Sequence, residues 1–342
     1  MILLRGIDTG LYPGVPDDTH ARCAMVRGHC PPIYRFIDYI KKQGGNIMDF
    51  EEYIIENEYL RVTVTTWGAQ VKSVVRKSDG VEHMWQADTS VWGYHAPILF
   101  PHTGKVVKGT IHAKGKDYES TQHGFARLME HDLVGQTANT LVLELHSNPE
   151  TLAHFPYDFR LISTFTLDGD TLHHTLTVEN TDREILPFGI GYHPAFAIPF
   201  DENHTAADYE LRFDRMESPL CLSCQPEGLL RGKCYYLGSN IDCIPVDEKL
   251  FEVDSHCMTN LGSKTLGLYE KDTGRAVICD IADFPYTLIW SKPGTPKFVC
   301  IEPWHSLPSP EKGSTDWLKK PAAAILAPGE SWSTTLKTRF AR

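Results

Sequence analysis

Three short stretches of this 342-residue chain set acid–base side chains among aromatics and tight glycines. They are Gln122-His123-Gly124-Phe125-Ala126-Arg127, Gly189-Ile190-Gly191-Tyr192-His193-Pro194-Ala195-Phe196 and Cys300-Ile301-Glu302-Pro303-Trp304-His305. Taken singly, each histidine or carboxylate is more commonly explained as a hydrogen-bonded structural group. Taken together with Trp85, Trp92, Tyr94, Trp290 and Trp304, they suit a sugar ring. Such a ring offers apolar C–H faces to flat aromatics and hydroxyls to hydrogen-bonding groups. Several of these tryptophans are expected in the core instead.

Other chemistries find less support. Gly104 and Gly109 lack the lysine and hydroxyl pattern of a phosphate loop, and no Gly-x-Ser-x-Gly elbow occurs. The 16 histidines form no His-Glu-x-x-His helix. His173 and His174 adjoin on an expected strand, where neighbours point to opposite faces, so they cannot share one ion. Cys221-Leu-Ser-Cys224 is a CxxC without a second close pair, since Cys234 and Cys243 follow at wide spacings. Free thiols are expected there rather than zinc. Neither a metal nor a cofactor is expected.

The elements that must position these groups read mostly as strands. Leu60, Val62 and Val64 alternate with polar neighbours, and the alternation returns at Leu141-Leu143-Leu145, Leu172-His174-Leu176-Val178 and Trp332-Thr334-Leu336-Thr338-Phe340. This is the period of a half-buried strand. Asp79-Gly80, Asp168-Gly169-Asp170, Thr273-Gly274 and Pro328-Gly329 supply turns between such runs. Asn148-Pro149-Glu150 opens one short helix, and Ser309 to Lys320 is a second helical candidate. Many strands without strand–helix alternation predict an all-β fold, a large antiparallel β-sandwich with few short helices. Residues 48–342 are expected to form it as a single domain.

Charge and cysteine usage narrow the partners. With 33 basic and 44 acidic residues the chain carries −11, and no basic stripe is present for nucleic acid or anionic lipid. No apolar run approaches the roughly 20 residues of a membrane-spanning helix. Nine cysteines, an odd number, and no export signal predict a reducing, cytoplasmic setting.

Several motifs in order make the sequence resemble a known family. They are Pro97-Ile98-Leu99-Phe100-Pro101, Gln122 to Arg127, Gly191-Tyr192-His193-Pro194, Asp283-Phe284-Pro285-Tyr286, Trp290-Ser291-Lys292-Pro293 and Cys300 to Trp304. From about Glu52 to the C-terminus the chain resembles the aldose 1-epimerase (galactose mutarotase-like) family, within it the LacX-like branch. The resemblance implies a β-supersandwich, no cofactor or metal, and a small sugar bound in an open cleft by a monomer or homodimer. It also implies Glu302 as catalytic base, His193 as catalytic acid, and His123 near the ring oxygen. Arg127 and Trp304 are further candidate sugar contacts. Lys105 stands where LacX-like chains usually have arginine, exchanging a planar fork for a point charge. The family's sugar-binding aspartate is expected at Asp280 or Asp283.

Anomer exchange breaks C1–O5, rotates about C1–C2 and closes on the other face. A Glu302 carboxylate and a charged His193 on opposite sides of that bond would take the C1 hydroxyl proton and supply one to O5. Each contributes about 10²–10⁴-fold. The alternatives are a hexose-6-phosphate 1-epimerase, with Lys105, Arg127 and Lys292 at the phosphate, or a sugar-binding module without turnover.

Residues 1–47 read differently from the remainder. Six basic and four acidic residues make them +2, against 27 and 40, or −13, beyond. Pro13, Pro16, Pro31 and Pro32 interrupt any period, and Gln43-Gly44-Gly45 before Met48 can be encoded by a bacterial ribosome-binding sequence. These residues are expected to be dispensable and to lie upstream of a true start at Met48. Residues 48–342 expressed alone should therefore be soluble, with the melting temperature of the full chain. A melting point lower by many degrees would show that the extension is structural.

Overall fold

The computed structural model describes residues 50–225 and 228–342, so the expectations for residues 1–47 lie outside the described residues. Two large antiparallel sheets dominate. The first has nine strands, in the spatial order Ile241–Pro245, Tyr209–Glu217, Thr265–Glu270, Ala276–Asp280, Ser331–Ala341, Thr171–Asn180, Phe159–Asp168, Thr140–His146 and Asp132–Gln136. The second runs Cys234–Tyr236, Leu220–Leu222, His256–Thr259, Tyr286–Trp290, Phe298–Trp304, Gly191–Tyr192 and Ile98–Leu99, with Ala195–Ala197 also paired to Phe298–Trp304. A four-stranded sheet built from Glu52–Glu56, Leu60–Thr65, Gln70–Arg76 and Val81–Glu82 completes the main architecture.

Alternation explains the layers. Leu161, Leu176, Leu211, Leu268, Val277, Leu336 and Phe340 of the nine-stranded sheet are buried in one cluster with Val299 and Ile301 of the second. Their polar neighbours in sequence point away, as the two-residue period requires. Tyr192 ties the sheets together. Its buried hydroxyl lies 2.8 Å from the His174 carbonyl oxygen and 2.9 Å from that of Thr334, on adjacent strands of the other sheet.

The α-helix Pro149–Leu152 forms where expected, with the Asn148 side chain accepting from the amides of Glu150 and Thr151. The expected helix from Ser309 to Lys320 does not form. That segment holds only the 3₁₀ turn Trp317–Lys319, because Asp316 caps it late and a buried Trp317 draws the chain inward.

Many histidines serve as neutral packing groups. Burial holds His83 and His131 to pKa values of about 4, and His102, His174 and His193 to about 3, with His305 at about 4. Each has a folded pKa below the unfolded value near 6.5, so the unfolded chain binds more protons as pH falls through 6.5. The stability they contribute is full above that value and is lost progressively towards about 4. Burial raises Glu302 and Asp254, and the hydrogen bond to Asp201 raises His204; these three act in the opposite sense but are outnumbered by the depressed histidines. The melting temperature should therefore fall between pH 7 and 5, above the ordinary carboxylate range. A flat or rising melting temperature over that interval would contradict this account.

Candidate active site

The strand Phe298–Trp304 is buried along its whole length. Val299 and Ile301 face the core between the sheets, so Phe298, Cys300, Glu302 and Trp304 must share the opposite face. Cross-strand pairing sets Leu288 opposite Glu302 and Trp290 opposite Cys300. On the other side, Gly191 pairs with Trp304 and delivers His193 immediately after its strand. A Cβ at Gly191 would lie 2.5 Å from Trp304 Cδ1, so only glycine lets the indole lie flat there.

These choices create a pocket of about 310 Å³, lined by Trp92, Trp290 and Trp304 together with His123, Arg127, His193, Asp254 and Glu302. Its size and mixed lining suit a small polar ring. On its floor His193 Nε2 lies 3.3 Å from Glu302 Oε2. Both side chains are almost wholly shielded, at 8% and 2% exposure. The His193 ring stacks on Trp92 and meets Trp290 edge-on.

The environment reverses the charge assignment expected from sequence. Burial, reinforced by the negative Asp254, pushes the Glu302 carboxyl well above its usual range. Burial, reinforced by the positive Arg127, holds His193 at about 3. The favoured state is therefore a carboxylic acid beside a neutral imidazole, with one proton between them. The two groups also stand side by side rather than on opposite sides of a space that a C1–O5 bond could enter. O1 and O5 are both bonded to C1, so adjacent partners can address both.

His123 is fixed by a reciprocal pair of hydrogen bonds. The His123 amide donates to the Gly104 carbonyl at 2.8 Å, and the Gly104 amide donates to His123 Nδ1 at 3.0 Å. A ring that accepts at Nδ1 and is neutral carries its proton on Nε2. Burial first, and the neighbouring His193 and Arg127 next, hold it well below the imidazole range. His123 thus holds its ring edge-on to Trp304, with Nε2 3.2 Å from the Gln122 side-chain amide nitrogen. Gly124 turns at φ +71°, and a Cβ there would lie 2.2 Å from the Phe100 carbonyl oxygen.

Other expected residues fall differently. Arg127 lines the pocket, with Nη2 donating to the Gln122 carbonyl and its guanidinium over the Tyr94 ring at 4.8 Å. Lys105 is exposed and lays its stem beside Gly228 at the rim, so the planar cation nearest His193 belongs to Arg127. Asp280 and Asp283 do not reach the pocket. Asp280 lies on the nine-stranded sheet, 4.0 Å from Lys337, and Asp283 is exposed in the following turn. Asp254 is the aspartate that does reach it, accepting from Trp290 Nε1 at a backbone φ of +74°. No periodic pattern surrounds Asp254, and the signal available was its place just before the strand His256–Thr259. His305 is structural, 2.8 Å from Thr334 Oγ1 and edge-on to Trp332. Trp85 packs on Phe298 behind the pocket. The seven described cysteines are free thiols, and no described helix is long and apolar enough to cross a membrane.

Fold and site together define a carbohydrate-epimerase type of protein, and comparison with known proteins agrees. The aldose 1-epimerase family matches residues 51–339, and the chain belongs to that family. It is similar to the chromosomal protein LacX of Lactococcus lactis subsp. lactis, 33% identical over 262 residues, covering 74% of this chain and 87% of the relative. The plasmid LacX of the same organism matches with the same identity and coverage. Among solved structures, a galactose mutarotase related enzyme from Lactobacillus acidophilus aligns with a TM-score of 0.81 at 27% identity, covering 85% of this chain and 97% of the other. A galactose mutarotase-like protein from Lactobacillus casei aligns at 0.78 and 29%, covering 84% and 99%.

Because burial outweighs neighbouring charge, the site histidines should resist protonation. In histidine-selective ¹⁵N NMR, His123 and His193 should remain neutral at pH 5, where an exposed imidazole is protonated. Arg127→Gln should move the His193 titration upward while leaving it below 6.5, since only the smaller of its two causes is removed. Titration of His193 near 6.5 in the unaltered protein would refute this electrostatic picture.

Proposed function

We propose that the protein is an aldose 1-epimerase that interconverts the α and β anomers of a free aldohexose. The observation that carries this reading is the buried 3.3 Å pair of His193 and Glu302 on the floor of a sugar-sized pocket. A proton crossing from Glu302 to His193 gives the carboxylate and imidazolium that ring opening needs. The carboxylate takes the C1 hydroxyl proton while the imidazolium protonates O5, and the C1–O5 bond breaks to leave a C1 carbonyl. Opening therefore ends with a carboxylic acid and a neutral imidazole, the state that burial favours. After rotation about C1–C2 the two transfers run backwards on the other face, restoring the pair.

In this reading His123 donates its Nε2–H near the ring oxygen, Arg127 and Asp254 hold hydroxyls, and the indoles of Trp92, Trp290 and Trp304 face the ring. Lys105 contributes at the rim. No metal or cofactor takes part in these steps, and the small sugar is the partner of a cytoplasmic monomer or homodimer. Free hydroxyls are favoured over a 6-phosphate because Lys105 and Lys292 both bear on the negative Asp254, which leaves the mouth mixed rather than basic.

Polarimetry on fresh α-anomers of glucose, galactose and other aldoses, with a hexose 6-phosphate followed by NMR exchange, tests the reading. The protein should accelerate decay of optical rotation for at least one free aldose. Glu302→Gln, which keeps size but cannot accept the C1 hydroxyl proton, should cost at least about 10²-fold. Tight sugar binding without acceleration would instead identify a binding module, and acceleration of the phosphate alone would identify the phosphosugar enzyme.

A further inference from the structure

We propose that the pocket floor is also a three-ligand site for a borderline-soft divalent cation, with zinc(II) held by His193 Nε2, Glu302 Oε and Cys300 Sγ. These three buried ligand atoms all lie within 4.8 Å of one another. Their closeness follows from the sheet. Cys300 and Glu302 are two residues apart on one face of Phe298–Trp304, while Ala195, paired with Cys300, places His193 two residues earlier on the adjoining chain.

The spacing matches a known requirement. Zinc bonds of about 2.0–2.3 Å place tetrahedral ligand atoms roughly 3.3–3.6 Å apart. The His193–Glu302 separation is already 3.3 Å, and the Cys300 thiol lies within 4.8 Å of both ligand atoms. Imidazole, carboxylate and thiolate together select zinc-like ions over magnesium or calcium, which prefer oxygen alone. As the ion binds, the Cys300 thiol and the Glu302 carboxyl each release a proton to water, and the neutral His193 ligates through Nε2. His193 and Glu302 both line the pocket, so the fourth position of the ion would face it. Among the neighbouring charges, Asp254 favours a cation here and Arg127 opposes it.

A second three-residue cluster, of two carboxylates and a histidine, shows the contrast. Asp201, His204 and Glu270 also converge, but the Arg275 guanidinium already bridges both carboxylates and occupies the place of a cation. At the pocket floor the side chain beside Glu302 is His193, itself able to serve as a ligand.

Such an ion would occupy both groups assigned to proton transfer, so zinc should inhibit reversibly and a chelator should restore activity. That consequence rests on the proposed catalytic reading, whereas binding itself does not. Titration of the full-length protein with cobalt(II) should give one equivalent showing tetrahedral d–d absorption and a thiolate-to-cobalt charge-transfer band. In Cys300→Ala the band should vanish and affinity for zinc by isothermal calorimetry should fall at least 10-fold. Cys300→Ser, checked for folding by circular dichroism, should lose the thiolate band likewise. Magnesium should not compete. A wild-type protein without the band, a band undiminished in folded Cys300 variants, or displacement by magnesium would overturn the proposal. These readouts hold whether or not mutarotation is observed.

Discussion

One constraint governs the molecule: an ionisable carboxyl and an imidazole are held together almost wholly shielded from water. The strand Phe298–Trp304 is buried on both faces, so Glu302 has apolar neighbours along its own strand and on the strands beside it. An isolated charge in such a place costs several kcal/mol, and the group instead shifts its pKa towards neutrality. Glu302 and His193 move in opposite directions for this one reason. Both shifts favour the uncharged forms, a carboxylic acid beside a neutral imidazole.

The surrounding donors are fixed by backbone rather than by long flexible side chains. Gly104 and His123 exchange hydrogen bonds, and Gly104 turns at φ +63° against Pro308, where a Cβ would lie 2.4 Å from Cγ. His123 itself adopts φ +67°, a conformation uncommon for a side-chain-bearing residue. Strain of this kind persists only where neighbours over-determine it. Here the Phe100 carbonyl receives the amides of Phe125 and Ala126, locking the turn from below. The orientation of the imidazole is thereby secured before a ligand arrives.

What was legible in the sequence was whatever depends on period. Leu141-Leu143-Leu145 and Leu172-His174-Leu176-Val178 bury their alternate positions because a strand has two faces. The short helix was legible from Asn148 because capping is local chemistry. Ser309 to Lys320 misled because a weak helical composition yields to Trp317, which is drawn into the core and donates to the Pro187 carbonyl. The site residues inside recognisable motifs, His123, Arg127, His193, Glu302 and Trp304, were brought to one pocket. Asp254 was not foreseen, because it reaches the pocket from a loop whose position is set by tertiary packing. Asp280 and Asp283 were suggested by motif proximity, yet strand direction carries them to the other sheet and its turn.

The histidines show why type and burial alone cannot assign chemistry. His83, His131 and His154 each place a ring nitrogen near a backbone carbonyl, and His102 and His305 each pair with a hydroxyl. All of these rings fill space as small aromatics with one satisfied polar handle, and burial keeps several of them neutral. His193 is equally buried and equally neutral, but its Nε2 faces a carboxyl that is itself displaced upward. A carbonyl can only accept a proton's hydrogen bond, whereas a carboxyl can exchange the proton. What sets His193 apart from the other buried histidines is therefore its partner. That partner is supplied by a strand more than a hundred residues further along the chain.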